Sequence, residues 1–267
     1  MTTILITGST DGIGLATAEH LAGLGHRLVL HGRNPTKLDA AARAVDARRP
    51  GSVAAAVTAD LSRLEAVDAL AEAARVDDLA VVVNNAGVFR TDDPITDDGL
   101  DVRFVVNTIA PYRLTRLLFD ALPSDGRVVN LSSAAQAPVD LDALAGRRRL
   151  DAGEAYAQSK LALTMWSNHL AAEQGPNGPV VVAVNPGSLL ATNMVRDGYG
   201  IDGNDIGIGV DILTRAAVGE EFAGATGRYF DNDARRFSDP HPDALDPAKN
   251  AALVAELDNL IPPVVGP

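Results

Sequence analysis

The sequence predicts an α/β fold, a single domain on a central parallel sheet of about seven strands, doubly wound by flanking helices. Three observations carry that expectation. Short apolar runs alternate with longer amphipathic segments from the N-terminus onward. The first of those runs empties into a glycine-rich turn, and Leu79-Ala80-Val81-Val82-Val83 is continuously apolar, as a strand covered on both faces must be. The 267 residues, 46% hydrophobic and 22% charged, suffice for a sizeable core, and no linker-like stretch divides residues 1–267.

Taken in order, Thr3 to Thr7 reads as the first strand. It enters Gly8-Ser9-Thr10-Asp11-Gly12-Ile13-Gly14 and then a helix that Gly25 ends. Glycines permit positive φ and close backbone approach, and a helix N-terminus offers free N–H groups to a pyrophosphate. A structural turn is the plainer alternative. Arg27 to His31 is the second strand, ending at Gly32-Arg33-Asn34 with no carboxylate at its tip. An acidic residue there would suit the ribose 2′-hydroxyl of NAD, whereas Arg33 suits a 2′-phosphate, so NADP(H) is favoured over NAD(H). Asn34 caps the next helix and Pro35 opens it. Ser52 to Ala59 is a third strand ending at Asp60-Leu61, and Ser62-x-x-Glu65 predicts a capping box for the helix through Arg75. The fourth strand, Leu79 to Val83, leads to Asn84-Asn85-Ala86-Gly87.

A helix is expected over Asp98 to Leu122. Within it, Pro111 has no N–H for the carbonyl of Asn107, which predicts a kink beside that residue. Arg127 to Leu131 is the fifth strand and delivers Ser132-Ser133 to the same sheet edge. Triad partners are adjacent only in space, so a hydrolase stays open at this point. Glu154 to Glu173 reads as a helix stopped at Gly175-Pro176, and its i, i+4 spacing places Tyr156 and Lys160 on one face. An ammonium about 4 Å from a phenol, at an effective dielectric of about 20, favours the phenolate by roughly 4 kcal/mol. That is worth up to about three pKa units and would poise the tyrosine near working pH. The sixth strand is Val180 to Val184. Met194 to Gly209 is a glycine-rich loop with the character of a mobile lid, and its Tyr199, with Leu189 upstream of it, is expected to line an apolar pocket. The insert Asp140 to Ala152, with Arg147-Arg148-Arg149, reads equally as an entrance rim or a solvated charge run. Helices near Val210 to Phe222 and Pro247 to Leu260 complete the chain, the second packing near the pocket or at a subunit contact.

Composition narrows the function. A net charge of −12 argues against nucleic acid and anionic membranes as partners. No apolar run is long enough for a membrane span, the first strand leaves no room for a targeting peptide, and the chain has no cysteine. A cytoplasmic protein is expected, with no metal site.

Thr7-Gly8-x-x-x-Gly12-Ile13-Gly14, Asp60, Asn84-Asn85-Ala86-Gly87, Asn107, Ser132-Ser133, Tyr156-x-x-x-Lys160 and Asn185-Pro186-Gly187 occur in that order. Together they resemble the short-chain dehydrogenase/reductase family along essentially the whole chain. Tyr156-Ala157-Gln158-Ser159-Lys160-Leu161 and Thr226-Gly227-Arg228-Tyr229-Phe230 are similar to its retinol dehydrogenase-like, NADP(H)-dependent branch. The resemblance implies a Rossmann-type domain whose residues 1–135 mainly hold the cofactor, while 136–267 carry the catalytic helix, substrate loop and C-terminal segment. It implies an oxidoreductase interconverting an alcohol and a carbonyl. Ser133 would hold the substrate oxygen, Tyr156 would act as general acid/base, Lys160 would lower the tyrosine pKa and bind the nicotinamide ribose, and Asn107 would hold a water linking Lys160 to solvent. Gly8, Thr10, Asp11, Gly12, Ile13 and Gly14 would embrace the nucleotide's phosphates, with Arg33 beyond them. Asp60 and Leu61 would meet the adenine, and Asn85, Ala86 and Gly87 the ribose. Pro186, Gly187, Leu189 and Thr192 would flank the nicotinamide. The implied substrate is a small carbonyl or alcohol, apolar in character, and relatives are commonly dimers or tetramers. Reduction of an activated C=C bond, or a non-catalytic NADP(H)-binding sensor or scaffold, are the alternatives. Two departures stand out: Asp11 replaces a basic side chain common in NADP-preferring members, and Asn185 a histidine common in the retinol dehydrogenase branch.

Overall fold

The apolar runs become β1 (Thr3–Ile6), β2 (Arg27–Gly32), β3 (Val53–Thr58), β4 (Leu79–Asn84), β5 (Arg127–Leu131) and β6 (Val180–Asn185) of a computed structural model that describes residues 1–261. The side chains of Pro176 and Tyr199 also lie outside the described residues, so the pocket role expected for Tyr199 does too. β7 (Tyr229–Asp231) and β8 (Arg236–Ser238) extend the sheet, in the order β3-β2-β1-β4-β5-β6-β7-β8. The first seven strands are parallel. β8 pairs antiparallel with β7 and was not expected, because Arg235-Arg236 hides a three-residue strand whose one apolar residue, Phe237, packs edge-on against Phe230.

Alternation along the strands builds two cores. Leu5, Val29, Val82, Val128 and Val181 face one side, while Ile6, Leu30, Val83, Val129 and Val182 face the other. The first face is covered by α3 (Leu64–Ala74), α5 (Ala110–Leu118) and α7 (Ala152–Gln174), the second by α1 (Gly12–Gly23), α2 (Pro35–Arg48) and α9 (Gly207–Val218). α10 (Pro247–Leu260) lies outside α7 and ties to α5 through Tyr112, whose hydroxyl donates to Asp258 at 2.8 Å. α4 (Val102–Phe104), α6 (Leu141–Leu144) and α8 (Asn193–Tyr199) are short. No helix among the described residues is long and apolar enough to cross a membrane.

Several expectations are corrected here. The capping box does not form: α3 begins at Leu64, and Ser62 instead gives both its N–H and its hydroxyl to Asp60, at 3.0 and 2.8 Å. A carboxylate two residues upstream outcompetes the helix for that serine. The helix expected from Asp98 starts at Val102, capped by Asp101. Its kink takes the form of a π-helical turn over Val105–Ile109, in which Ala110 N–H reaches back to Val105 O. The segment expected to be a glycine-rich loop contains α8, which Thr192 caps and Gly200, at φ 69°, ends. Gly207 and Gly209 belong to α9 rather than to the loop.

Candidate active site

Strand order reverses between β1 and β4, and two loops at that switch point form the floor of a cleft of about 350 Å³. Gly8 and Gly12 have φ of 65° and 55°, which a side chain would strain. A Cβ on Gly14 would lie 2.4 Å from both Asn85 Nδ2 and Gly8 O, so only glycine fits. The neighbouring loop braces this turn. Asn85 Nδ2 donates to Thr7 O at 2.8 Å and Gly8 O at 3.1 Å, and the N–H groups of Asn85 and Ala86 both donate to Thr7 Oγ1 at 3.0 Å. The Asn85 side chain is therefore occupied with the turn, although it also lines the cleft.

Asp11 caps α1, accepting from Gly12 N–H at 2.7 Å, and it pairs with Lys37 at 3.8 Å and with Asn193 of α8. Gly32 nests against Thr10, where a Cβ would stand 2.3 Å from Thr10 Cγ2, and the exposed Arg33 follows at the cleft wall. The cleft brings together Gly8, Thr10, Asp11, Gly12, Ile13 and Gly14 with Arg33, Asp60, Leu61, Ala86 and Gly87. It reaches Tyr156, Lys160, Pro186 and Thr192 at its far end. This glycine cradle at a helix N-terminus, with a guanidinium beyond it, fits a dinucleotide bearing a 2′-phosphate.

Gly187 and Leu189 are placed differently. They line a second cavity of about 190 Å³, together with Phe89, Ser133, Leu190 and Val195. Tyr156 lines both cavities. Its ring lies 5.0 Å from that of Phe89, centroid to centroid, and 5.7 Å from Lys160 Nζ. Lys160 is buried, donates to Leu131 O at 2.7 Å, and burial pushes its ammonium down to about 8 from the ordinary 10.5. The two serines part company. Ser132 is buried, with its hydroxyl shared between Thr164 Oγ1 at 2.7 Å and Lys160 O at 3.2 Å, and so is structural. Ser133 Oγ accepts from Ala135 N–H at 3.1 Å, which leaves its own proton for another oxygen.

Asn107 lies behind the cleft. Its Nδ2 donates to Val88 O at 2.9 Å and Ser159 Oγ at 3.0 Å, and its Oδ1 accepts from Val88 N–H at 2.8 Å. The side chain locks α7 to the loop after β4, and a Cβ on Gly87 would meet both Asn107 Oδ1, at 3.4 Å, and Lys160 Nζ, at 3.6 Å. Arg147, Arg148 and Arg149 line neither cavity: they engage Asp142 and Glu256, Asp140, and Gly99 O, respectively.

Four residues of the site escaped sequence reasoning. His31 lies under the glycine turn, and a lone histidine closing an apolar strand was the available signal. Phe89 walls the second cavity beside Tyr156, without any motif to mark it. Asp231 and Asp233, in the β7–β8 hairpin, hold Asn185 Nδ2 at 2.9 Å each, and Asp233 also accepts from Ser188 N–H at 2.8 Å. They fix the loop carrying Pro186 and Gly187.

The family model for short chain dehydrogenases matches residues 2–199. Human retinol dehydrogenase 13 is 32% identical over 97% of this chain and 84% of its own length. Among solved structures, an uncharacterized protein from Mycobacterium paratuberculosis superposes with a TM-score of 0.78 at 28% identity, covering 98% of this chain and 96% of that one. The landomycin C-6 ketoreductase LanV, with bound NADP and rabelomycin, gives a TM-score of 0.68 at 26% identity, covering 86% and 94%.

Proposed function

The chain belongs to the short-chain dehydrogenase/reductase family, in the retinol dehydrogenase branch, and we propose that it is an NADP(H)-dependent oxidoreductase interconverting an alcohol and its aldehyde or ketone. The observation that carries this reading is the position of Tyr156, which lines both the cleft over the glycine turn and the second cavity. The NADP bound to LanV and the carbonyl and alcohol chemistry named for the relatives support it.

In the proposed mechanism, Gly8, Gly12, Gly14 and the N-terminus of α1 hold the pyrophosphate, and Arg33 takes the 2′-phosphate. The bound nicotinamide supplies or accepts the hydride. Everything else falls to the protein. In the reducing direction, Ser133 Oγ–H donates to the carbonyl oxygen and Tyr156 gives up its phenolic proton as that oxygen becomes a hydroxyl. The Lys160 ammonium stabilises the phenolate left behind. Asn107 acts at one remove by holding Ser159, on the same helix, and Val88 in place. Phe89, Leu190 and Val195 make the substrate side apolar and keep water from the transfer.

The test is NADPH oxidation by purified protein over a panel of aldehydes, ketones and enones. Turnover of carbonyls by the wild type is expected to fall by roughly 10²–10⁴-fold in Tyr156→Phe, while NADPH binding persists. Equal turnover by mutant and wild type would remove Tyr156 from the chemistry. NADPH binding without turnover of any panel member by the wild type would favour a sensor.

A further inference from the structure

His31 is 3% exposed and is the penultimate residue of β2, bonded to the glycine turn. Every polar atom of this residue has a partner there. Its N–H donates to Ser9 Oγ at 2.9 Å, and its carbonyl accepts from Ser9 N–H at 2.9 Å. On the ring, Nδ1 lies 3.1 Å from Gly8 N, and Nε2 lies 3.0 Å from Ala59 O. An amide nitrogen can only donate and a carbonyl can only accept, so these partners fix the tautomer: Nε2 carries the proton and Nδ1 is bare. One neutral imidazole thereby ties the turn after β1 to the end of β3, where Asp60 begins.

We propose that His31 is a positioning residue for nucleotide binding, its bare Nδ1 holding Gly8 in the pyrophosphate-binding conformation, so that protonating the ring unseats the turn and weakens the nucleotide. The inference rests on the proposed cofactor site. The loop after β4 also closes on Gly8, where an added Cβ would stand 2.9 Å from the Ala86 Cα. A proton on Nδ1 would face the Gly8 N–H, donor against donor, and one of them must move.

Burial holds the ring's pKa below the ordinary 6.5, with the bond to Ala59 and the charge of Asp60 opposing. The neutral ring is thus favoured in the intact turn, and the effect appears as pH falls through that lowered value. The surroundings hold few competing charges. β1 and β3 carry no ionisable side chain. Asp11, Arg33, Asp60, Tyr156 and Lys160 share the cleft with the ring. His31 follows Leu30 and so shares the face of Val29, which α3, α5 and α7 cover; there Asp68 of α3 pairs with Arg113 of α5, and Lys160 of α7 donates to Leu131 O, while at the turn Lys37 pairs with Asp11. A cation beneath a pyrophosphate would on charge alone strengthen binding, so the geometry and the charge predict opposite signs.

The experiment compares NADPH and NADH affinity, by calorimetric titration, for wild type, His31→Asn and His31→Ala. The pH range runs from about 8 to about 5.5, bracketing the ordinary imidazole value near 6.5. Asparagine offers an acceptor to Gly8 without titrating, and NADH lacks the 2′-phosphate, which itself titrates near pH 6. The wild type is expected to lose more affinity across this range than His31→Asn, by up to about tenfold (about 1.4 kcal/mol), the ceiling for one group whose pKa lies below 6.5, for either nucleotide. His31→Ala should bind weakly at every pH. By linkage, adding NADH should lower the His31 pKa followed by NMR in the wild type, a readout independent of either variant's folding. Parallel wild-type and His31→Asn profiles, tighter wild-type binding in acid, or a raised His31 pKa with NADH would each overturn the proposal. Wild type that binds neither nucleotide at pH about 8 would overturn the cofactor reading, and this inference with it.

Discussion

Replacing Lys160 with methionine removes a charge that the fold holds at a cost. The side chain is buried, and its pKa falls from 10.5 to about 8 because burial disfavours the ammonium. The shift corresponds to roughly 3 kcal/mol at about 1.4 kcal/mol per unit. The sign follows from linkage. Between the folded value near 8 and the unfolded value of 10.5, the unfolded chain binds the extra proton, so wild-type stability rises with pH across that window. Below it the full penalty applies. Lys160→Met escapes the penalty but leaves Leu131 O without its 2.7 Å donor, which costs about 1–2 kcal/mol. At neutral pH the variant should therefore be more stable by about 1–2 kcal/mol, and inactive. Urea denaturation at a series of pH values, in a Tyr156→Phe background to silence the neighbouring phenol, measures the difference. The variant's advantage should shrink by about 3 kcal/mol between about pH 8 and 10.5 and change sign. Stability curves that run parallel across that window would refute the claim that Lys160 is strained by burial.

Other expectations are more local. Gly14→Ala places a methyl 2.4 Å from a backbone oxygen and should cost about 1–3 kcal/mol in chemical denaturation, with nucleotide binding lost; unchanged binding would remove the glycine cradle from the site. Arg33→Asp should weaken NADPH by at least about tenfold while leaving NADH comparable or tighter, read by fluorescence titration, and equal loss for both would show that Arg33 does not read the 2′-phosphate. Gly198 of α8 packs on Phe89, where a Cβ would lie 2.8 Å from Cδ1. Gly198→Ala should push that ring toward Tyr156 and lower kcat/KM by about tenfold without changing nucleotide affinity; loss of both together would mean that α8 itself had come apart.

The sheet was legible because strands buried on both faces are written as unbroken apolar runs, and β4 is the plainest of them. Tyr156 and Lys160 were legible because helical periodicity alone puts them one turn apart. What stayed hidden depended on competition or on distance. Ser62 had the pattern of a cap, yet Asp60 claimed it, a contest that spacing rules do not weigh. α8 was concealed by its glycines, since it survives on the Thr192 cap and on packing against Phe89 rather than on propensity. The contact of His31 with Gly8 joins residues 23 apart in sequence, and Phe89 meets Tyr156 only through folding. Leu189 was read both ways, as a neighbour of the cofactor and as the lining of an apolar pocket; the loop, with φ 53° at Leu189 itself, sets it in the lining of the second cavity.

The π-helical turn makes chain length a parameter of the active site. An α-helix rotates each residue by about 100°. Closing the turn from Ala110 to Val105 accommodates one residue more than a regular helix would, and Asn107 sits in that surplus. Deleting any one residue of Val105–Ile109 would leave a smoother helix with its downstream residues in phase. It would also swing Asn107 by about 100° away from Ser159 and Val88, or remove it altogether. A scan of point substitutions leaves this dependence untouched, because each keeps the residue count. Insertions and deletions are the changes to which this part of the site is most exposed, and the surplus residue is an irregularity on which the bonds of Asn107 to Val88 and Ser159 depend.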